Sequence, residues 1–186
     1  MSELVHPFEL MELGKAPFRC VGAYEDRGPH KRIIGGVMVE IGAPGQPMGP
    51  CAYCGTGIAV CFEIKSSDGK KFVVGSSCVN KTCHKGTRVY NEVEARHNEI
   101  KRKARHAREA KNIEQARAWL KDERVREILG EALHPNEGRR DDGEPRTRLD
   151  WADWMMGNAG NKGKCDVFRC IKRAVLPKLE NEGGEL

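Results

Sequence analysis

The sequence predicts an α+β protein in which a small cysteine-rich module with a β-hairpin is followed by long charged helices and a C-terminal helical hairpin. Three patterns indicate this: four of the eight cysteines fall within residues 51–78, apolar residues alternate over 58–64, and helical spacing begins near residue 88. Charged residues make up 32% of the 186 residues and aromatic residues only 6%. We therefore expect several modest packing units rather than one large core.

The N-terminal residues 1–50 predict strands and a loop. The stretch APFRCVGAY alternates well enough for a strand, and RIIGGVMVEI predicts a second strand with a kink at Gly35–Gly36. The following GAPGQPMGP is rich in glycine and proline and predicts a loop without regular structure.

A tight CxxCG turn opens the cysteine-rich module. Cys51 and Cys54 lie on this turn, which is how a zinc knuckle begins. A hairpin that reverses at Asp68–Gly69 would return Cys78 to the level of residues 57 and 58, beside the knuckle. The sequence thus predicts three thiolates converging on one structural Zn²⁺ ion. The alternative is that these are buried free cysteines in a small β-sheet.

A tetrahedral zinc site needs a fourth ligand. Cys61 lies three or four residues up the first strand of the hairpin, about 10 Å from the level of Cys78. We therefore predict Cys83 as the fourth ligand, with His84 as its substitute, although the spacing of five from Cys78 requires an irregular turn. The other cysteines are predicted to be packing residues; these are Cys20, Cys61, Cys165 and Cys170.

The order of knuckle, hairpin and a ligand entering a helix is that of a treble-clef zinc finger. The stretches CAYCGTGI and SSDGKKFVVGSSCVNKT resemble the cysteine module of uncharacterised bacteriophage and prophage proteins, in which a basic helix follows. DWADWMMGNAGNKGKCDVFRCI is similar to the tail of some of them. The resemblance implies a treble-clef-like zinc-binding module and a phage or mobile-element origin, and it implies no particular activity.

A basic ridge lies in the helical region. Lys101, Arg105 and Arg108 share one helix face at i, i+4 and i+7, and Arg102, Lys103 and Lys111 add charge around them. From 85 to 111 there are nine Lys or Arg and four Glu, a surplus of five that equals the net charge of the chain. The ridge predicts binding to nucleic acid, with DNA favoured, through phosphate contacts. The alternatives are a solvated helix and an adaptor that binds an acidic partner protein.

Further apolar patterns predict the remaining helices. Asn112 and Gln115 form a predicted capping pair for a new or bent helix. Beyond residue 149, two short helices around a glycine-rich turn would form a small core from Trp151, Trp154, Met155, Val167, Phe168 and Ile171.

These patterns divide the chain into six segments. We expect N-terminal strands and a loop over 1–50, the zinc module over 51–87, the basic helical region over 88–134, a flexible linker over 135–148, a helix-turn-helix-like segment over 149–177 and a tail over 178–186.

The sequence contains no convincing catalytic set. The six histidines are scattered, and a thiolate-filled zinc site is typical of a closed structural centre rather than of an enzyme. No apolar run is long enough for a membrane span, and the N-terminus does not resemble a secretory signal. We therefore expect the cytoplasm of a bacterium or of a phage-infected host, where thiols stay reduced.

Overall fold

The structure is a computed structural model that describes residues 5–134 and 143–181. The chain divides into two compact units, Met1–Lys101 and Arg102–Leu186, and the boundary falls within one long helix. The first unit mixes strands and helices, whereas the second is helical. The protein is therefore of mixed α and β structure, as the sequence predicts.

Over residues 5–101, the first unit contains two helices, seven strands and the start of a third helix. In chain order they are α1 (Pro7–Leu10), β1 (Arg19–Glu25), β2 (His30–Ile34), β3 (Val37–Ile41), β4 (Gly49–Pro50), β5 (Gly57–Ile58), β6 (Val60–Lys65), β7 (Lys71–Val74), α2 (Ser76–Thr82) and the start of α3 (Arg88–Trp119).

An antiparallel sheet of three strands, in the order β1-β6-β7, forms the centre of the first unit. Phe62 and Ile64 on β6 are fully buried, and they lie opposite Val74 and Phe72 on β7. The predicted alternation along this strand and the turn at Asp68–Gly69 are thus confirmed, and Gly69 has the positive φ of 88° that such a turn requires.

The second predicted strand is instead a hairpin. β2 and β3 pair antiparallel, and the chain reverses at Gly35 and Gly36, whose φ values are +59° and +84°. Two central residues with positive φ form the type I′ turn that matches the twist of paired strands. The predicted kink is therefore wrong, because two successive glycines allow a complete reversal of the chain.

Aromatic side chains fill the core of the first unit. Phe8, Phe18 and Phe72 make mutual edge-to-face contacts with ring centroids 5.2–6.0 Å apart. Cys51 and Cys78 are buried in the same core. The cysteine site therefore lies at the edge of a packed apolar cluster and not on an isolated loop.

The second unit begins within α3, and its described residues continue through four further helices. The sequence predicts a new or bent helix at Asn112. α3 runs without a break to Trp119, and the next helix, α4 (Glu123–Glu131), begins at the N-cap Asp122, whose side chain accepts a hydrogen bond from Arg124 N–H. The capping pair predicted at Asn112 and Gln115 is wrong. An asparagine inside a helix costs only about 0.7 kcal/mol, which burial of Ile113 and Ala116 offsets.

Three helices complete the unit: α5 (Arg148–Asn158), α6 (Asn161–Ala174) and α7 (Leu176–Asn181). Thr147 caps α5 through a reciprocal capping box with Asp150. Of the predicted linker 135–148, residues 135–142 lie outside the described residues. Its end is not a flexible linker, because Thr147 forms a β-bridge with Leu133.

The helical core contains fully buried side chains from α3 to α7. Its buried members are Ala116, Leu120, Val125, Leu129, Ala152, Val167, Ile171, Val175 and Leu179. The predicted core residue Trp154 is 54% exposed, whereas Trp151 and Phe168 pack partly buried against the cluster. Within the described part of the chain, no helix combines the length and apolar character that crossing a bilayer requires.

Candidate metal centre

A short turn between β4 and β5 positions the first two cysteines. Cys51 N–H donates to Thr56 O at 2.8 Å, and Gly55 N–H donates to Cys51 O at 2.8 Å. Gly55 has a φ of +73°, a conformation that a residue with a Cβ rarely adopts. These bonds close the turn and place the side chains of Cys51 and Cys54 on one side of it.

The third cysteine lies in the first turn of α2. The hairpin of β6 and β7 ends at Gly75, which is the N-cap of this helix. A Cβ at Gly75 would meet Ile58 Cγ2 at 3.0 Å, so any larger residue at this position would have to displace the Ile58 side chain. Ala52 N–H also donates to Val73 O at 2.8 Å, which fixes the turn to the end of β7. This backbone hydrogen bond thus holds the cysteine turn, which precedes the hairpin, close to the end of β7 and the start of α2.

The three sulfur atoms form a compact triad. Cys78 Sγ lies 3.6 Å from Cys51 Sγ and 3.4 Å from Cys54 Sγ, and all three atoms lie within 4.8 Å of one another. Two sulfurs on a tetrahedral ion with Zn–S bonds of about 2.3 Å would be about 3.8 Å apart. Cys51, Cys54 and Cys78 therefore lie close enough together to bind a metal ion.

The three thiols differ in burial, and two of them, those of Cys54 and Cys78, differ in acidity. Cys51 and Cys78 are buried, whereas Cys54 is exposed. Hydrogen bonds from the side chain and backbone of Thr56 lower the pKa of Cys54 to about 7. Burial, together with the hydrogen bonds to Cys54 and Cys51, raises the pKa of Cys78 to about 12. Cys54 thus supplies a thiolate more readily than Cys78, which would lose its proton only if a bound cation compensated the charge.

Cys83 is placed away from the triad. It is the C-cap of α2, five residues after Cys78, so it lies about 140° further around the helix axis. Its Sγ is 3.7 Å from His6 Nε2 and 3.6 Å from Thr82 Oγ1. Among the residues described, the only cluster of three or more potential ligands is Cys51, Cys54 and Cys78. The assignment of Cys83 as a ligand thus gains no support from the geometry and stays a prediction.

The other candidates for the fourth position have different surroundings. Cys61 is buried, and its Sγ lies 3.8 Å from Ile58 O. His84 is exposed beside Cys83. His6 contacts Cys83 across 77 positions of sequence, and no spacing pattern could have predicted this pair. Phe8 N–H donates to His6 Nδ1 at 3.1 Å, so the proton of the neutral ring lies on Nε2, which faces Cys83.

The triad defines the class of site: a cluster of three cysteines that lie close enough together to bind a metal ion, in a protein of mixed α and β structure. No protein-family model matches the chain, and no curated protein or solved structure is significantly similar to it.

The predicted nucleic-acid-binding residues all lie on α3 and are all exposed; they are Lys101, Arg102, Lys103, Arg105, Arg108 and Lys111. Arg105 makes an i,i+4 ion pair with Glu109 at 3.8 Å. Among the described residues, Lys101, Arg102, Arg108 and Lys111 make no ion pair.

The alanines beside these cations are also exposed. Ala104 and Ala107 lie at helical spacing from Val89 and Val93 on α3, but only the two valines are buried. The buried face of α3 therefore ends before the basic segment, and residues 101–108 are all exposed to solvent.

Proposed function

We propose that this chain is a zinc-stabilised nucleic-acid-binding protein that contacts DNA mainly through the phosphate backbone. The observation that carries the proposal is the surface of α3. Within residues 101–111 there are six exposed Lys or Arg side chains and one Glu. Four of the six cations have no ion-pair partner among the described residues, so their charge is available to an anionic ligand.

The cysteine triad supports zinc as the ion. Thiolates are preferred ligands of Zn²⁺, and the sulfur separations of 3.4 Å and 3.6 Å suit a tetrahedral site. The order of a cysteine turn, a hairpin and a helix that carries Cys78 supports a treble-clef-like arrangement. A bound zinc ion would hold the turn after β4 against the start of α2. Such structural ions contribute about 10–16 kcal/mol of apparent binding free energy in small zinc fingers.

The spacing on α3 supports contacts to consecutive phosphates. Lys101, Arg105 and Arg108 span about 10 Å of helix at 1.5 Å per residue and share one face. Arginine binds phosphate through two parallel hydrogen bonds, and lysine binds it as a point charge. Phosphate contacts give affinity with little choice of sequence. The resemblance of the cysteine module to bacteriophage and prophage proteins supports a phage or mobile-element origin.

A salt titration of DNA binding tests the proposal. We expect the logarithm of the association constant for a duplex to fall linearly with the logarithm of salt concentration, by about 0.9 per phosphate neutralised. A triple variant with Arg102, Arg105 and Arg108 changed to Ala should bind more weakly, with the slope reduced by up to about 2.7.

A matched control variant has the same net charge as the triple variant but loses its cations elsewhere. Changing the exposed Lys172, Arg173 and Lys178 to Ala removes three positive charges from α6 and α7 instead. This control should retain the slope of the wild-type protein. Absence of DNA binding at low salt, or equal losses in both triple variants, would reject the ridge as the binding surface. A protein partner that stays bound to α3 after nuclease treatment would support the adaptor alternative.

A further inference from the structure

The β2–β3 hairpin carries an unusual amount of exposed apolar surface. Its exposed apolar residues are Ile33 (74%), Ile34 (57%), Val37 (63%), Met38 (65%) and Val39 (38%). Most monomeric proteins do not leave such a contiguous apolar group in water. An isolated two-stranded hairpin is also only marginally stable unless it packs against further structure.

Both outer edges of this hairpin are open among the described residues, because β2 and β3 pair only with each other. Neither strand contains a proline, and the register from Ile34↔Val37 to His30↔Ile41 has no bulge. Natural edges are commonly protected by such features. The hairpin therefore offers two regular strand edges for further pairing.

The turn determines which backbone groups face outward on β3. In a hairpin with a two-residue turn, the residues flanking the turn, Ile34 and Val37, exchange backbone hydrogen bonds, and every second pair after them does the same. The pair of Arg32 and Val39 is thus bonded within the hairpin. Met38 and Glu40 belong to the intervening pairs, so their N–H and C=O groups point away from β2.

We propose that two copies of this chain associate by antiparallel pairing of their β3 strands, with Val39 on the twofold axis. In this register Met38 of one copy exchanges backbone hydrogen bonds with Glu40 of the other, and each Val37 lies opposite Ile41. Val39 of one copy lies directly opposite Val39 of the other. This pair exchanges no backbone hydrogen bonds, so the two side chains are close together. The result is a four-stranded sheet in which one face carries a continuous apolar strip from both copies.

The charges of the hairpin favour a second copy over an anionic surface. Residues 30–41 contain Lys31, Arg32 and Glu40, a net charge of +1 with histidine neutral. Lys31 and Glu40 form a cross-strand ion pair at 3.7 Å, so most of the positive charge is already compensated. Insertion into DNA or into an anionic membrane would use an excess of cations around the apolar tip.

The exposed area predicts a weak dimer. Pairing of the β3 edges covers only part of the exposed apolar surface, because Ile33 lies on β2 and on the face opposite Val39. The contact is therefore smaller than the area of about 800 Å² per partner in a standard stable interface. We therefore expect a reversible, concentration-dependent dimer. This inference does not depend on the proposed DNA binding, since β3 lies apart in sequence from α3.

Sedimentation of the full metal-loaded chain over a range of concentrations tests the proposal. The mass should rise from that of the 20.8 kDa chain towards twice that value. Val39→Lys places two ammonium groups opposite each other and should raise the dissociation constant at least about tenfold. Met38→Pro removes an outward N–H while leaving the β2–β3 bonds intact, and it should have the same effect.

Ile33→Lys is the matched control, because Ile33 is more exposed than Val39 but lies on β2 and on the other face of the hairpin. It should dimerise like the wild-type protein. Circular dichroism and bound metal must be unchanged in each variant. A wild-type chain that stays at 20.8 kDa at every concentration overturns the proposal, as does a loss of dimer with Ile33→Lys. Hairpin-dependent binding of the monomer to DNA or vesicles would overturn it as well.

Discussion

The backbone N–H of Cys20 on β1 donates a 2.8 Å hydrogen bond to Glu92 Oε2 on α3, 72 positions later in the chain. Arg88, one turn earlier on the helix, donates to the other oxygen of the same carboxylate at 2.8 Å. The Glu92 carboxylate thus connects the start of the charged helix to an edge strand of the central sheet, and Arg96 of the same helix donates to Cys20 O at 3.5 Å.

Removing this carboxylate should destabilise the first unit. We expect Glu92→Ala to lower its free energy of unfolding by about 1–3 kcal/mol, because the Cys20 amide loses a charged acceptor. Tyrosine fluorescence during urea unfolding measures this, since all three tyrosines lie before residue 102. Glu94→Ala, at an exposed position of the same helix, is the control and should be nearly neutral. Equal effects of both changes would contradict the role of the bond.

The same carboxylate should make stability depend on pH. Burial raises the pKa of Glu92, but hydrogen bonds from Arg88 and the Cys20 amide outweigh it and hold the pKa below its ordinary value of 4.5. The stabilisation is therefore fully present above pH 4.5 and is lost as the pH falls through the lower pKa of the folded state. The free energy of unfolding of Glu92→Gln should lack this dependence on pH. A variant that kept the full dependence would show that other groups cause it.

Serine substitutions should separate the metal ligands from the other thiols. Cys51→Ser, Cys54→Ser and Cys78→Ser should each lower the bound metal per chain, because each removes one sulfur of the triad. Mass spectrometry of the purified variants measures the metal content. Cys170→Ser, far from the triad in sequence, is the control and should retain the metal of the wild-type protein.

Cys83→Ser decides between two assignments of the fourth ligand. The structure pairs Cys83 with His6, and on that geometry the variant should keep its metal. Loss of metal in this variant would instead support the assignment made from sequence.

Chelation should affect only one of the two units. Cys51 and Cys78 lie in the core of the first unit and Cys54 lies exposed beside them, whereas the core of the second unit contains none of the three. We expect a strong chelator to lower the melting temperature reported by tyrosine fluorescence, because structural metal binding is coupled to folding. Tryptophan fluorescence should change little, since all three tryptophans lie after residue 101. If the melting temperature reported by tyrosine fluorescence does not change with the chelator, the ion has no structural role.

The helical unit should depend on Leu129. Leu129 is 1% exposed, and Leu129→Ala should cost about 2–5 kcal/mol because it leaves a cavity in the core. Leu133 is 62% exposed on the same stretch of chain, and Leu133→Ala should change stability by less than about 0.5 kcal/mol. Urea unfolding followed by tryptophan fluorescence compares the two, and similar losses would mean that this core is packed differently.

Local patterns predicted the elements around the triad well. The CxxCG turn, the alternation through Phe62 and Ile64 and the reversal at Asp68–Gly69 all depend on residues that are close in sequence. Such short-range preferences act before any tertiary contact forms. Helix ends were predicted less well. Asn112 has the chemistry of a cap, but buried neighbours on α3 make continuation of the helix more favourable.

The sequence by itself determined the cysteine turn, the hairpin that returns Cys78 to it and the concentration of positive charge on one helix, because each is set by spacing over a few residues. Only the tertiary structure decided that Cys83 lies beside His6, that Glu92 holds the Cys20 amide, and that the basic segment of α3 is exposed all round. The first two relationships join residues that are far apart in the chain. The third depends on which faces of the helix pack against other elements. Packing of the whole unit selects them, and no local period encodes them.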